Sequence, residues 1–238
     1  MNPMIDDLVS ALRLLAKPER LKFALRTYPS SLEILGVVVP DVRIVLAEMK
    51  RETASFSTEE KIELANQLLK RNCFELNQLT LEWIGRDSRV MKIISKTEAE
   101  NMMLGMDNWV LVDTYSSLIL GPLWQRQVFV DADIQVFAKH PDLWMRRMAV
   151  ASTVALNRKR KGFNGDSKRT LLICEMLVYD KEDMVVKAVS WALRSLIPWD
   201  RRGVESFLNA HHNVLHKRII REVHNKLDTG YKSKKKVD

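Results

Sequence analysis

What this 238-residue chain lacks narrows its identity first. It has only two cysteines, Cys73 and Cys174, too few and too far apart for a disulfide framework or a zinc site, so both read as core thiols of a reducing compartment. Its eight glycines and seven prolines are few for the length, and no alternation of apolar and polar residues runs far enough to build a sheet of several strands. No segment approaches the roughly 18 uninterrupted apolar residues of a membrane span. The amino end, Met1-Asn2-Pro3-Met4-Ile5-Asp6-Asp7, is acidic where a secretory leader begins with positive charge, which predicts a cytoplasmic protein without membrane contact. Phosphate-loop, dinucleotide-binding and serine-elbow motifs are all missing, which removes the common enzyme classes. His212 and His216 stand four apart beside His211, but no nearby cysteine or carboxylate completes a metal site, and neither a metal nor an organic cofactor is predicted.

What is present is apolar and moderately basic. Hydrophobic residues make up 46% of the chain, ample for a packed core, and 38 Lys+Arg against 30 Asp+Glu leave a net charge of +8 suited to a polyanionic partner. Residues 1–230 read as a single domain and residues 231–238 as a flexible basic tail, where Lys232, Lys234, Lys235 and Lys236 add nonspecific attraction to phosphates or serve only as a soluble terminus.

The chain reads as all-α. Ser57-Thr58-Glu59-Glu60 is a capping box, and Ile62, Leu64, Leu68 and Leu69 continue it as a buried stripe. Gly85 is expected to close the next helix, which starts near Cys73. Longer helices are expected over Trp109 to Leu120, Asp142 to Asn157, Ser167 to Tyr179 and Asp183 to Leu196. Three segments resemble one another: those starting at Asp107, Asp142 and Asp183 each begin with an aspartate suited to capping and continue as an amphipathic helix. Their spacing is that of helical-hairpin repeats, which favours a solenoid of HEAT type.

Candidate chemistry sits on these three segments. Trp109 and Asp113 are four residues apart on one helical face, an indole and a carboxylate able to meet a cation together. Leu111, Val112, Leu118 and Ile119 take the opposite face, leaving Asp113 with Trp109, Ser116 and Ser117, although an aspartate early in a helix also simply suits the helix dipole. In the next segment Trp144, Met148, Ala151 and Ala155 form a packing stripe, with Arg146 nearly opposite and Arg147 at its edge, so either arginine overlooks a groove or both solvate the outside. In the third, Lys187, Trp191 and Arg194 interleave an aromatic with cations, as grooves for nucleic acid do and as ordinary core packing also does. Arg158, Lys159, Arg160 and Lys161 precede two glycines in Arg158-Lys159-Arg160-Lys161-Gly162-Phe163-Asn164-Gly165, a loop that either holds phosphates or only joins two helices.

Taken in order along the chain, these segments resemble the AlkD-like DNA alkylation-repair glycosylases. Leu35-Gly36-Val37-Val38-Val39-Pro40-Asp41-Val42-Arg43 is similar to the family's early Leu-Gly and Pro-x-x-Arg segment, and Arg71-Asn72-Cys73-Phe74-Glu75 to the start of a later helix. Asp107 to Asp113, Trp144 to Arg147 and Lys187 to Arg194 are similar to the segments carrying the cleft tryptophan and aspartate, the arginine and the second tryptophan. Asn108 and Val110 stand where the family often has a second tryptophan and a further aspartate.

The resemblance implies a curved α-solenoid of HEAT-like hairpins with a concave DNA-binding face. It implies a monomer that excises cationic alkylpurines, such as 3-methyladenine and 7-methylguanine, from double-stranded DNA without extruding the base. Asp113 would stabilise the sugar cation, Trp109 and Trp191 would pack on the deoxyribose and backbone, and Arg147 would hold a phosphate. A noncatalytic HEAT-repeat module that binds DNA structures or another protein is the alternative.

Overall fold

Prolines and polar caps decide where the helices begin. The computed structural model describes residues 2–159 and 164–233, and among these every regular element is helical apart from one isolated bridge between Glu33 and Cys73. The chain divides into two compact units, Met1–Ile119 and Leu120–Asp238.

In the first unit, α1 (Pro3–Leu14), α2 (Pro18–Thr27) and α3 (Val39–Glu52) each carry proline in the first turn, where its missing N–H would have had no partner anyway. α4 (Thr58–Leu69) begins with the expected Ser57–Glu60 capping box. α5 (Phe74–Arg86) follows, then the short α6 (Val90–Ile93) and α7 (Lys96–Met103), which has a second capping box from Ser95 and Glu98. α8 (Trp109–Tyr115) completes the unit's helices. Helices α1, α3, α5 and α8 pack in succession as one row, with α4 laid against α5, α6 and α7.

α5 is the spine of this unit, buried at every residue from Phe74 to Ile84. Gly85 lies inside its last turn rather than closing it. A Cβ there would fall 2.6 Å from the Leu118 Cβ, so the glycine serves close approach and not termination.

Polar groups buried along α5 hold irregular chain in place. Glu75 accepts the backbone N–H groups of Leu35, Gly36 and Val37 at 3.0, 2.8 and 3.1 Å, satisfying donors that no helix serves. Gly36 has φ +85°, and a Cβ on it would lie 2.7 Å from the Leu21 nitrogen. The Leu35-Gly36 segment and the Arg71 to Glu75 segment are therefore two sides of one joint. Arg43 forks onto Glu82 with two bonds of 3.2 Å.

In the second unit, α9 (Gly121–Gln125), α10 (Asp131–Ala138), α11 (Leu143–Leu156), α12 (Ser167–Met176), α13 (Asp183–Leu196), α14 (Arg201–Ala210) and α15 (Lys217–Thr229) form a stack of hairpins. α11, α13 and α15 pack side by side as one layer, and α10, α12 and α14 as the other. α11 is buried at every residue from Arg147 to Leu156, and its small Ala149, Ala151, Ser152 and Ala155 let neighbouring helices come close.

The segment between α11 and α12 is fastened at both ends. The Asn157 side chain accepts the Asp166 N–H at 3.0 Å and donates to Thr170 Oγ1 at 2.9 Å. Trp199 Nε1 donates to the Asn157 carbonyl at 2.8 Å, and its ring covers Gly165, where a Cβ would meet it at 2.5 Å.

Two sequence expectations change here. Of the three repeat aspartates, only Asp142 caps its helix, accepting the Trp144 N–H at 2.9 Å. Asp183 lies inside α13 and pairs with Lys187 at 2.6 Å and Arg218 at 2.9 Å. The helix expected over Trp109 to Leu120 also breaks register, because α8 ends at Tyr115 and a π-helical turn, Ser116–Leu120, comes after it. Pro122 has no N–H and its ring crowds the carbonyl four residues back, a conflict the wider turn relieves.

Both cysteines are buried free thiols, and burial pushes the Cys73 thiol up to about 11. No helix among the described residues is long and apolar enough to cross a membrane.

Lys61 is buried and pairs with Asp87 at 2.7 Å. Burial opposes the Asp87 charge, but the Lys61 bond and the N–H groups of Arg89 and Val90 outweigh it and hold the carboxyl below the usual aspartate range. Asp87→Asn strands a buried ammonium and is expected to cost about 3 kcal/mol at neutral pH, read from urea midpoints. Because the folded pKa is depressed, this contribution is present above the unfolded value of about 3.9 and is lost as pH falls through the folded one. The gap between wild type and variant should close on acidification.

Candidate functional site

The start of α8 is built by three consecutive residues with separate tasks. Asn108 is the cap, its side-chain oxygen accepting the N–H groups of Val110 and Leu111, both at 3.1 Å. Asp107 reaches away from the helix to a distant turn, accepting from Ser30 Oγ and the Ser31 N–H at 2.5 Å each. Burial works against the Asp107 charge, yet the bonds from Ser30 and Ser31 prevail and keep its carboxyl below the ordinary range. Trp109 is the first helical residue, and its indole N–H donates to the Thr27 carbonyl at 3.2 Å.

Aromatic contacts complete the seat of the indole. Tyr28 stacks on Phe74 with centroids 5.0 Å apart and meets Trp109 edge to face at 6.1 Å and 88°. Phe74 belongs to α5, so the orientation of Trp109 traces back to the spine of the unit. The ring is held along one edge and half-buried.

Asp113 lies one turn further on, also half-buried. Leu111 and Val112 are buried as expected, and Tyr115 fixes the far end of the helix by donating its hydroxyl to the Ala99 carbonyl at 2.7 Å. Full burial pushes that phenol up. Ser116 and Ser117 do not share an open face with Asp113: both are buried, while Leu118 is only half-buried. The π turn adds a residue and rotates the chain beyond Tyr115. An oriented indole and a partly desolvated carboxylate one turn apart can stabilise a positive charge that develops between them more strongly than water would.

In the second unit the structure separates the two arginines. Arg146 bonds the Asp180 carboxylate at 2.6 Å and the carbonyls of His140 and Pro141 at 3.0 and 2.7 Å. Arg147 is buried and donates to the Met184 carbonyl at the start of α13. Met148, Ala151 and Ala155 are buried as their spacing predicts, and Trp144 is half-buried.

On α13, Lys187 pairs with Asp183, and Trp191 is half-buried. Arg194 donates to Ser190 Oγ at 3.3 Å and lies 3.9 Å from Glu222. Burial lowers its pKa, and Glu222 acts in the opposite direction. Arg158 is half-buried, Lys159 is exposed, and Arg160 and Lys161 lie outside the described residues, as do Lys234, Lys235 and Lys236 of the tail. The structure thus brings Trp109 and Asp113 together on α8, and Arg147, Lys187, Trp191 and Arg194 together on the packed pair α11 and α13. His216 serves as the cap of α15, its Nδ1 accepting the Arg218 N–H at 3.1 Å.

The residues that sequence reasoning missed are the supports: Thr27, Tyr28, Ser30, Ser31 and Asp107. Asn108 as a cap before an apolar run is a local signal that the sequence does carry. The reach of Asp107 to Ser30 is not local, and nothing in a single sequence pairs them.

A family model for DNA alkylation repair enzyme matches residues 8–227. No curated protein matches the chain. A solved structure, a predicted DNA alkylation repair enzyme from Enterococcus faecalis, shares the fold with a TM-score of 0.71 at 15% identity, over 90% of this chain and 97% of that one.

Asp107→Ala removes the acceptor for two donors of the turn and should cost about 1–2 kcal/mol in urea unfolding. Amide exchange should accelerate first over residues 27–32. Uniform acceleration throughout the unit would mean that Asp107 does not hold that turn.

Proposed function

Because the chain belongs to the DNA alkylation repair enzyme family, we propose that its task in alkylation repair is to hydrolyse the N-glycosidic bond of cationic alkylpurines, such as 3-methyladenine and 7-methylguanine, in duplex DNA. The observation that carries this reading is the pairing on α8 of a fixed indole, Trp109, with a half-buried carboxylate, Asp113.

The substrate's charge dictates the chemistry. An alkylated purine is already a cation, so it departs as a neutral base with the electron pair of the glycosidic bond and needs little help from an acid. The barrier lies in the positive charge left on the sugar. Asp113 stabilises that oxocarbenium charge and orients the water, whose oxygen bonds to C1′ while its proton passes to solvent. Trp109 packs against the deoxyribose and adds attraction between cation and ring. In the second unit, Trp191 and Arg147 are assigned to the DNA backbone, with the Arg147 guanidinium attracting a phosphate. Arg146, Lys187, Arg194 and the basic run Arg158-Lys159-Arg160-Lys161 add attraction to flanking phosphates. The protein acts as a monomer and leaves the base within the helix.

A noncatalytic module that binds DNA structures or another protein is the second reading. It is favoured by the burial of Arg147 and by the carboxylate partners of Arg146 and Lys187, which leave fewer free cations for a lesion.

Asp113→Asn separates the two. The enzyme reading expects release of methylated purines from treated duplex DNA to fall about 10²-fold or more, with duplex binding retained. Chromatography of the freed bases reads the outcome. A folded wild type that releases neither base supports the module instead.

A further inference from the structure

Charge pairing is uneven within the first unit. Most of its cations have a carboxylate close by, as Arg13 has Glu33 at 3.0 Å, Lys17 has Asp41 at 3.4 Å and Arg71 has Asp6 at 3.0 Å. Among the described residues of the unit, Arg20, Lys22, Arg26, Lys50 and Lys70 form no ion pair, and the first three all belong to the ten-residue α2.

The face that α2 turns outward is unusual in a second way. Only Ala24 is buried along the helix, while Lys22, Phe23, Leu25 and Arg26 are exposed. Lys22 and Arg26 are one turn apart, with Phe23 beside them and Glu19 the only acid on the helix. The Arg20 guanidinium lies 4.8 Å from the Phe23 ring centre and 5.6 Å from that of Tyr28, and its buried Nε has no acceptor. The Arg20 guanidinium thus stacks on two rings with no carboxylate of its unit paired to it, so its charge adds to those of Lys22 and Arg26 on the same helix.

α2 is also tied to the candidate site. The carbonyl of its last residue, Thr27, accepts the Trp109 indole N–H, and Tyr28 meets the same ring. The bonds from Asp107 to Ser30 and Ser31 secure the turn after it.

We propose that α2 is a binding edge for the phosphate backbone of duplex DNA, with Lys22 and Arg26 each taking a phosphate and the Phe23–Arg20 stack lying against the sugars between them. The inference rests on the reading of this protein as one that acts on DNA, and it adds a surface outside α8, α11 and α13. Phosphates held on α2 would stand at a set distance from the indole, because Thr27 and Tyr28 join the two.

The test is the salt dependence of equilibrium binding to an unmodified synthetic duplex. It compares wild type, the Lys22→Ala/Arg26→Ala double variant, and a control of equal charge loss, Lys50→Ala/Lys70→Ala. All four side chains are exposed, so the fold is retained. Loss of two phosphate contacts should make the slope of log affinity against log salt shallower by about 1.8 in the α2 variant, with the control unchanged. A wild-type slope in the α2 variant, or an equal drop in both variants, overturns the inference. If α2 governs binding but no methylated purine is released, the glycosylase reading fails and the inference stands. If purines are released and the α2 variant keeps its slope, the reverse holds. A wild type that does not bind duplex DNA sinks both.

Discussion

Carboxylates that accept backbone N–H groups from irregular chain are the interaction on which the first unit depends. Helices satisfy their own donors, but the segments between them do not, and a donor left bare in the interior costs as much as a lost hydrogen bond. Glu75 serves three such donors at Leu35 to Val37, and Asp107 serves the turn at Ser30 and Ser31. The first bond fixes loop to spine, and the second fixes turn to α8. Trp109 owes its orientation to both, since Tyr28 stacks on Phe74 next to Glu75 while Thr27 receives the indole N–H. In the second unit the Asn157 side-chain oxygen accepts such a donor from Asp166, while the Trp199 indole N–H donates to the Asn157 carbonyl.

These supports explain how much was legible in the sequence. Helix starts written in local chemistry were readable: the Ser57 capping box and the bounds of Asp183 to Leu196 agree with the structure. The all-α class came from the same periodicity, and the shared fold with the Enterococcus faecalis protein bears it out. The seeming repeat of capping aspartates was only superficial, because aspartate before an apolar run can cap, pair with a lysine or reach across the unit, and Asp142, Asp183 and Asp107 do one each. A helical wheel drawn through Trp109 to Leu120 assumes one constant pitch, so it placed Ser116 and Ser117 wrongly once the π turn intervened.

The candidate site was legible in part for the same reason. The four-residue spacing of Trp109 and Asp113 is a local fact that survives folding, whereas the fate of a cation depends on partners far away in sequence. Arg146 finds Asp180 and Arg194 finds Glu222, neither of which spacing within α11 or α13 reveals. Cations in a basic protein are therefore poorly judged by their number. Their meaning comes from which of them the fold leaves without a carboxylate, and in the first unit that distinction singles out α2.

The fastening of Asn157 to Asp166 carries a consequence for insertions. When both ends of a connection are secured to the scaffold, by the Asn157 amide at one side and the Trp199 ring over Gly165 at the other, the helices it joins no longer sense how many residues lie between. Each doubling of such a loop costs only about 0.6 kcal/mol of closure entropy. Insertions between the two anchors therefore cost little while α11 and α12 keep their places, so this connection is the point at which the second unit can accept added sequence.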